Sequence, residues 1–223
     1  MYKKPIIVFE GIEGSGKSLH IKNLENYLKK KKIKYLKFRE PGGSKNSEKL
    51  RKLILNKNSN FNKKTDLFLY MAARNENYQS IIKKNYKKRI ILIDRFVDST
   101  FAYQHYGMGI NKKIINILNR YILKNINPDF TFLNIVSMKN LKSRLKKRSK
   151  KNRYDNFKIN FYKEVQKGYL QMSKSKKNYM IIDSNNQIIE NKKIIIKKIN
   201  SLLSLWSYQP QIILNLLDII IFF

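Results

Sequence analysis

Residues 11–18, Gly-Ile-Glu-Gly-Ser-Gly-Lys-Ser, constrain this chain more than any other stretch. They fit G-x-x-x-x-G-K-[ST], a loop whose glycines let the backbone wrap a phosphate with consecutive N–H groups pointing inward. The helix that follows adds its positive end. Within the loop Gly11, Ile12, Glu13, Gly14, Ser15 and Gly16 supply backbone, Lys17 a mobile positive charge and Ser18 a hydroxyl ligand for magnesium. The context agrees. The apolar run Pro5-Ile6-Ile7-Val8-Phe9 and the carboxylate Glu10 lead in, and Leu19, Ile21, Leu24, Tyr27 and Leu28 lead out at helical spacing. A strand, such a loop and an amphipathic helix in sequence predict an α/β fold on a parallel sheet.

A chain of 223 residues suits one such domain with a single sizeable core. It has no cysteine, which removes disulfides, thiolate metal sites and cysteine nucleophiles together. No cationic start followed by an apolar segment and a small-residue cleavage site is visible, so the reading is cytoplasmic rather than secreted. The net charge of +33 would ordinarily point to nucleic acid. Here the lysines are spread over nearly every expected helix beside abundant Asn and Ile, the residues of AT-rich codons. Genome bias is the simpler cause, and no specific nucleic-acid partner is expected. His20 and His105 lack a second ligand at metal-binding spacing, so neither is assigned to a metal.

Further along, apolar runs alternate with helical patterns. Strands are expected at about 5–9, 35–38, 89–93, 130–136 and 179–182, and helices at about 46–56, 64–87, 112–124, 138–148, 155–174 and 187–206. The second strand delivers Arg39-Glu40-Pro41-Gly42-Gly43, and Pro-Gly-Gly places Arg39 and Glu40 where strand becomes loop. Ligand crevices in open α/β sheets lie at that carboxyl end. Tyr70 and Arg74 lie one helical turn apart, which reads either as core plus a solvated charge or as a pair facing a ligand. The third strand is apolar through its middle, hence interior, and ends in Asp94-Arg95. Asp94 there can hold magnesium through water, and Arg95 can grip a phosphate bidentately. A helical continuation would put Ser99, Thr100 and Tyr103 on one side, beside Arg95. Residues 147–155 carry five positive charges and no apolar run, which fits a solvated helix end or a mobile lid whose arginines close over a transferring phosphoryl group. From 207 to 223 the chain is largely apolar and interrupted by Pro210, too short and too polar to span a bilayer, and has no assigned role.

Taken together, Phe9-Glu10-Gly11…Gly16-Lys17-Ser18, Arg39-Glu40-Pro41-Gly42-Gly43, Tyr70-x-x-x-Arg74 and Asp94-Arg95-Phe96-x-x-Ser99-x-x-Ala102-Tyr103-Gln104 resemble the thymidylate kinases over about residues 5–206. The resemblance implies a five-stranded parallel sheet flanked by helices with a short lid (about 147–155), a homodimer, and transfer of the γ-phosphoryl of ATP to dTMP with Mg²⁺. Matched position by position, residues 11–18 would bind ATP, and Glu10, Asp94 and Ser18 would surround the magnesium. Tyr70 would stack on thymine, Arg74 would hydrogen-bond the base with Ser99 or Thr100, and Arg95 would hold the dTMP phosphate. Tyr103 would lie against the sugar, while Arg39, Pro41 and Gln104 would line the same pocket. Glu13 matches the bacterial pattern, in which the lid supplies the catalytic arginine. Arg153 fits that pattern better than Arg148.

Two positions depart from the family. Leu19 stands where a threonine is usual, and Met108 stands where an arginine is usual. The alternative reading is a deoxynucleoside kinase or another nucleoside monophosphate kinase on the same fold. Those relatives share a Glu-Pro and an Asp-Arg but lack the Glu-Pro-Gly-Gly loop and the Ser-x-x-Ala-Tyr-Gln spacing.

Overall fold

The computed structural model describes residues 4–220 except 87, 125, 150 and 151, with side chains described as far as residue 204. Five strands form one sheet in the order β2-β3-β1-β4-β5, every pairing parallel. They are β1 (Ile6–Glu10), β2 (Tyr35–Arg39), β3 (Ile90–Asp94), β4 (Phe130–Ile135) and β5 (Tyr179–Asp183). All five fall within about a residue of the expected positions, because interior parallel strands read as short unbroken apolar runs. β1 is the middle strand, flanked by β3 and β4, so the loop at residues 11–18 leaves the centre of the sheet.

Strand alternation sorts the core into two layers. Ile6, Val8, Ile91 and Ile93 face one side, where they meet Leu67 and Met71 of α3 (Lys63–Asn77) and Ile115 and Ile122 of α6 (Lys112–Leu123). Ile7, Phe9, Ile90 and Leu92 face the other, against Ile21, Leu24 and Leu28 of α1 (Lys17–Lys30) and Ile195, Ile199 and Leu202 of α9 (Ile188–Ile220). A third apolar cluster sits beyond the carboxyl ends, where Ile12 and Leu133 meet Leu141 of α7 (Met138–Lys146) and Tyr162, Val165 and Tyr169 of α8 (Ile159–Lys174).

Helix starts follow side-chain capping. Ser44 caps α2 (Lys45–Leu55), and Asn62, Asn111 and Ser137 cap α3, α6 and α7 by accepting from backbone N–H groups of the first turn. Several boundaries differ from the sequence reading. The expected helix 64–87 is α3, then a π-helical stretch Tyr78–Ile82, then the short α4 (Lys83–Asn85). After α5 (Val97–Thr100) the chain again takes a π-helical turn, Phe101–Gly107. An extra residue per turn leaves no mark on apolar spacing over so short a span. The helix expected from 155 begins only at Ile159, because Asn152 and Asp155 cap each other's backbone around a 3₁₀ turn, Arg153–Asn156. At the other end α9 does not stop at 206 but runs through Pro210 to Ile220. A proline's fixed φ is helical, and its cost is one lost hydrogen bond plus a local clash, which the helix absorbs. Residues 221–223 of the expected tail lie outside the described residues. Among the described residues no helix is long and apolar enough to cross a membrane.

Candidate active site

The carboxyl ends of β1, β2 and β3 and the loops after β4 and β5 surround one cavity of about 750 Å³. In the phosphate loop Gly11, Gly14 and Gly16 take positive φ. Gly11 has no room for a side chain, since a Cβ there would sit 2.2 Å from the Asn134 carbonyl oxygen. Ser184, just past β5, ties the loop down by donating to the Ser15 carbonyl at 2.6 Å. Lys17 is 7% exposed and turns back on its own loop, donating to the carbonyls of Gly11 (2.9 Å) and Ile12 (2.8 Å). Burial, with repulsion from Arg95 behind it, pulls its ammonium down to about 8. Lys17 is thus held in reserve on groups that a phosphate would outcompete.

At the tip of β3, Asp94 Oδ2 lies 3.3 Å from the Ser18 hydroxyl, while Oδ1 is buried with no hydrogen-bond partner. A buried, unpaired carboxylate oxygen beside a hydroxyl is a pair of hard oxygen ligands that fits a magnesium ion. No three His, Cys, Asp or Glu side chains among the described residues cluster to hold a metal. Such an ion would therefore complete its shell with phosphate oxygens and water.

Glu10, expected with Asp94 and Ser18 around the magnesium, has its carboxylate taken up by protein donors. Its buried carboxylate accepts from the backbone N–H of Phe96 (2.8 Å) and Ser99 (3.2 Å), from the Ser99 hydroxyl (2.6 Å) and from the Tyr169 hydroxyl (3.0 Å). It is absent from the residues lining the cavity. Desolvation, then the nearby Asp98 carboxylate, push its pKa up. Glu10 is an anchor for the start of α5. That anchoring offsets the strain of Arg95, a non-glycine residue at φ 67°.

Arg95 turns into the cavity. It pairs with Glu13 at 2.8 Å, approaches the Ser99 and Tyr169 hydroxyls at 3.5 and 3.4 Å, and lies over the Tyr103 ring. Glu13 also accepts from the Tyr103 hydroxyl. Burial alone would raise the Glu13 carboxyl, but Arg95 and Lys17 hold it below the usual range. Glu13 is thus more than a loop position, since its carboxylate sets both Arg95 and Tyr103.

Arg74, only 2% exposed, is fixed by three hydrogen bonds: Nε to Glu40 (2.8 Å), Nη1 to Asn119 (2.7 Å) and Nη2 to the Phe96 carbonyl (2.9 Å). A guanidinium has five N–H groups, so two remain for a ligand. Arg74 lines the cavity together with Tyr70, Arg39 and Pro41. Arg39 bonds Glu48 at 3.2 Å. Tyr70 meets the ring of Tyr154 edge-on at 6.3 Å, and Tyr154 in turn meets Tyr103 at 5.8 Å. Burial pushes the Tyr70 hydroxyl pKa up, so it stays neutral. Of the two hydroxyls expected at the base, Ser99 is already engaged by Glu10 and Tyr169. Thr100 Oγ1 and Gln104 Nε2 are buried, unpartnered and on residues that line the cavity. Those two are available for recognition.

The two lid arginines, Arg148 and Arg153, are placed differently. Arg153 is absent from the cavity lining and pairs with Asp66 of α3, with the Tyr154 and Phe61 rings alongside. Tyr154 shares the same carboxylate at 2.7 Å. Arg148 lines the cavity and is paired with Asp155 at 2.6 Å. Sequence reading also missed Arg144, which reaches the carbonyls of Gly14 and Ser184, both at 2.7 Å, and so clamps the phosphate loop to the end of β5. Arg51 was missed too; it lines the cavity and donates to the Pro41 carbonyl at 2.6 Å. Neither carries a motif. In a chain with 48 Lys and Arg, only position in space singles them out.

Comparison with known proteins agrees with this geometry. The family model described as thymidylate kinase matches residues 9–195. A thymidylate kinase of Sulfurihydrogenibium sp. is 38% identical over 193 residues, covering 85% of this chain and 94% of its own. One from Mycoplasma capricolum subsp. capricolum is 38% identical over 187 residues, covering 82% and 88%. The crystal structure of thymidylate kinase from Ehrlichia chaffeensis superposes with a TM-score of 0.72 at 30% identity, over 88% of this chain and 98% of that one. With a phosphate loop, a second pocket facing it and likeness over nearly the whole length, this chain belongs to the thymidylate kinase family.

Proposed function

We propose that the chain transfers the γ-phosphoryl group of ATP to dTMP, giving dTDP and ADP. One observation carries this reading: a single cavity joins the phosphate loop to a second pocket walled by Tyr70, Arg74, Arg95, Thr100, Tyr103 and Gln104. That pocket has an aromatic face for a base, two spare donors on Arg74, unpaired polar atoms for base edges and a guanidinium for a phosphate monoester. In this assignment Tyr70 stacks on thymine, Arg74 with Thr100 and Gln104 reads its edge, Arg95 holds the phosphate, and Tyr103 lies against the sugar. Pro41 and Arg39 close the rim. Backbone N–H groups of residues 11–18 hold the triphosphate, and Asp94 and Ser18 hold a magnesium ion.

The reaction needs no covalent enzyme intermediate. An oxygen of the dTMP phosphate attacks the γ-phosphorus as the bond from that phosphorus to the β–γ bridging oxygen breaks, and ADP leaves. Repulsion between the two anionic substrates is the main obstacle. Lys17, on leaving the Gly11 and Ile12 carbonyls, and Arg95, both set in a buried site, offset it. Arg148 is the lid arginine nearest the reaction and closes over the equatorial oxygens. When bound, magnesium neutralises charge between the phosphates.

We further infer a homodimer in the cytoplasm, where ATP is the donor. Exposed apolar side chains on α6 (Ile114, Ile117 and Tyr121) and on α3 (Phe68) offer a contact surface, since α3 and α6 pack against each other. A phosphotransfer assay with ATP and magnesium against dTMP, dUMP, UMP, dCMP, AMP and thymidine tests the activity. Highest kcat/KM is expected with dTMP. Thymidine as the better acceptor would instead assign a nucleoside kinase.

A further inference from the structure

The donor end of the cavity holds a side chain that the reaction above does not use. His20 lies in the first turn of α1, three residues past Lys17, and is 2% exposed. Its Nδ1 is buried without a hydrogen-bond partner, although the residue lines the cavity. The ring sits against the phosphate loop on the β5 side, where both Ser184 and His20 would be within 4 Å of a Cβ on Gly16. Ser184, Asn186 and Asn191, all past β5, line the same end. Among them Asn191 is spent on the Asp183 carbonyl and Ser184 on the Ser15 carbonyl. Sheet order separates the two ends: the acceptor pocket stands over β2 and β3, and His20 faces β5 across the middle strand.

A buried polar atom without a partner is costly, and native chains rarely keep one that has no use. A neutral imidazole has one donor and one acceptor nitrogen, so the unpartnered edge of the ring can bond either kind of polar atom on a ligand. From this placement we propose that His20 hydrogen-bonds the nucleoside part of the donor triphosphate and thereby sets donor affinity. The proposal rests on the kinase reading only in taking the phosphate loop as the triphosphate site; the acceptor plays no part in it.

Titration calorimetry without acceptor tests it, using magnesium–ATP and, as a probe lacking a nucleoside, magnesium–tripolyphosphate. His20→Leu fills the volume without a polar atom. It should weaken ATP about tenfold and leave tripolyphosphate within twofold, the loss expected when one buried hydrogen bond is removed. The ligand-free variant should melt no lower than the parent, because an unsatisfied nitrogen has been removed. His20→Asn, which keeps a polar atom near the place of Nδ1, should recover most of the ATP affinity. The proposal is overturned if ATP binding to His20→Leu stays within twofold, if tripolyphosphate weakens equally, or if His20→Asn is no better than His20→Leu. A fall in melting temperature with parallel loss of both ligands would make His20 structural and overturn it too. Failure of the whole chain to phosphorylate dTMP would sink the kinase assignment and leave these binding results standing.

Discussion

At the residue scale, the two lid arginines separate by partner. Arg153 is taken up by Asp66, whose carboxylate also binds Tyr154, while Arg148 is itself partly exposed, has a place on the cavity wall and pairs with a buried Asp155 carboxylate that also accepts from the Asn152 backbone N–H. Breaking a buried pair by removing one partner leaves a charge uncompensated, whereas a partly exposed pair exchanges its partner cheaply. Arg148→Ala should therefore lower kcat by about 10² to 10³ with little change in melting temperature. Arg153→Ala should lower stability by about 2 kcal/mol and kcat much less. Steady-state kinetics beside thermal melts of both variants decide it, and the reverse pattern would restore Arg153 to the lid role. Sequence pattern favoured Arg153 because Arg-Tyr-Asp matches the family's lid. What it could not show is a carboxylate 87 residues away that captures the guanidinium. The same blindness covers Glu10. Its type and position beside the loop fit a metal-ligand environment, and only the four donors converging on it reveal an anchor.

That anchor joins two elements, the end of β1 and the start of α5, and it governs how Arg95 is presented. Arg95 occupies the left-handed region, a conformation that costs about 1 to 3 kcal/mol unless its surroundings fix it. Glu10→Gln keeps the shape but puts an amide N–H₂ where one acceptor oxygen stood, against hydroxyls already committed to donating. A loss of about 2 kcal/mol is expected, seen as a drop in melting temperature of about 4 to 8 °C. If the anchor positions Arg95, the dTMP KM should rise severalfold while the ATP KM stays nearly constant. An unchanged dTMP KM would reduce Glu10 to a stability role. Elements themselves were readable: all five strands and most helices, because apolar periodicity reports burial directly. The π-helical turns after α3 and α5 were not, and neither was the later start of α8, since local capping by Asn152 and Asp155 outweighs periodicity there. Likewise the acceptor side chains were legible as motifs, but the choice between Ser99 and Thr100 required knowing that Glu10 and Tyr169 had already engaged the first.

For the whole molecule, the question is which part of the chain the chemistry needs. Residues lining the cavity run from Glu13 to Asn191, and the family match ends at 195. α9 is held to the sheet by Ile195, Ile199 and Leu202, all buried. The last 17 residues, 207–223, carry one charge, Asp218, in a chain whose net charge is +33. Their composition thus sets them apart from the lysine-rich body as sharply as their position does. A chain ending at residue 206 should keep kcat and both KM values within about twofold of the full chain, because every cavity-lining residue and every buried α9 side chain among the described residues is kept. Its melting temperature should also change by no more than a few degrees, since the buried side chains of both sheet layers remain. Kinetics and melts of the two lengths side by side measure this. Loss of activity on truncation would show that the C-terminal part of α9 supports the site through the helix, and would extend the catalytic unit beyond the family match.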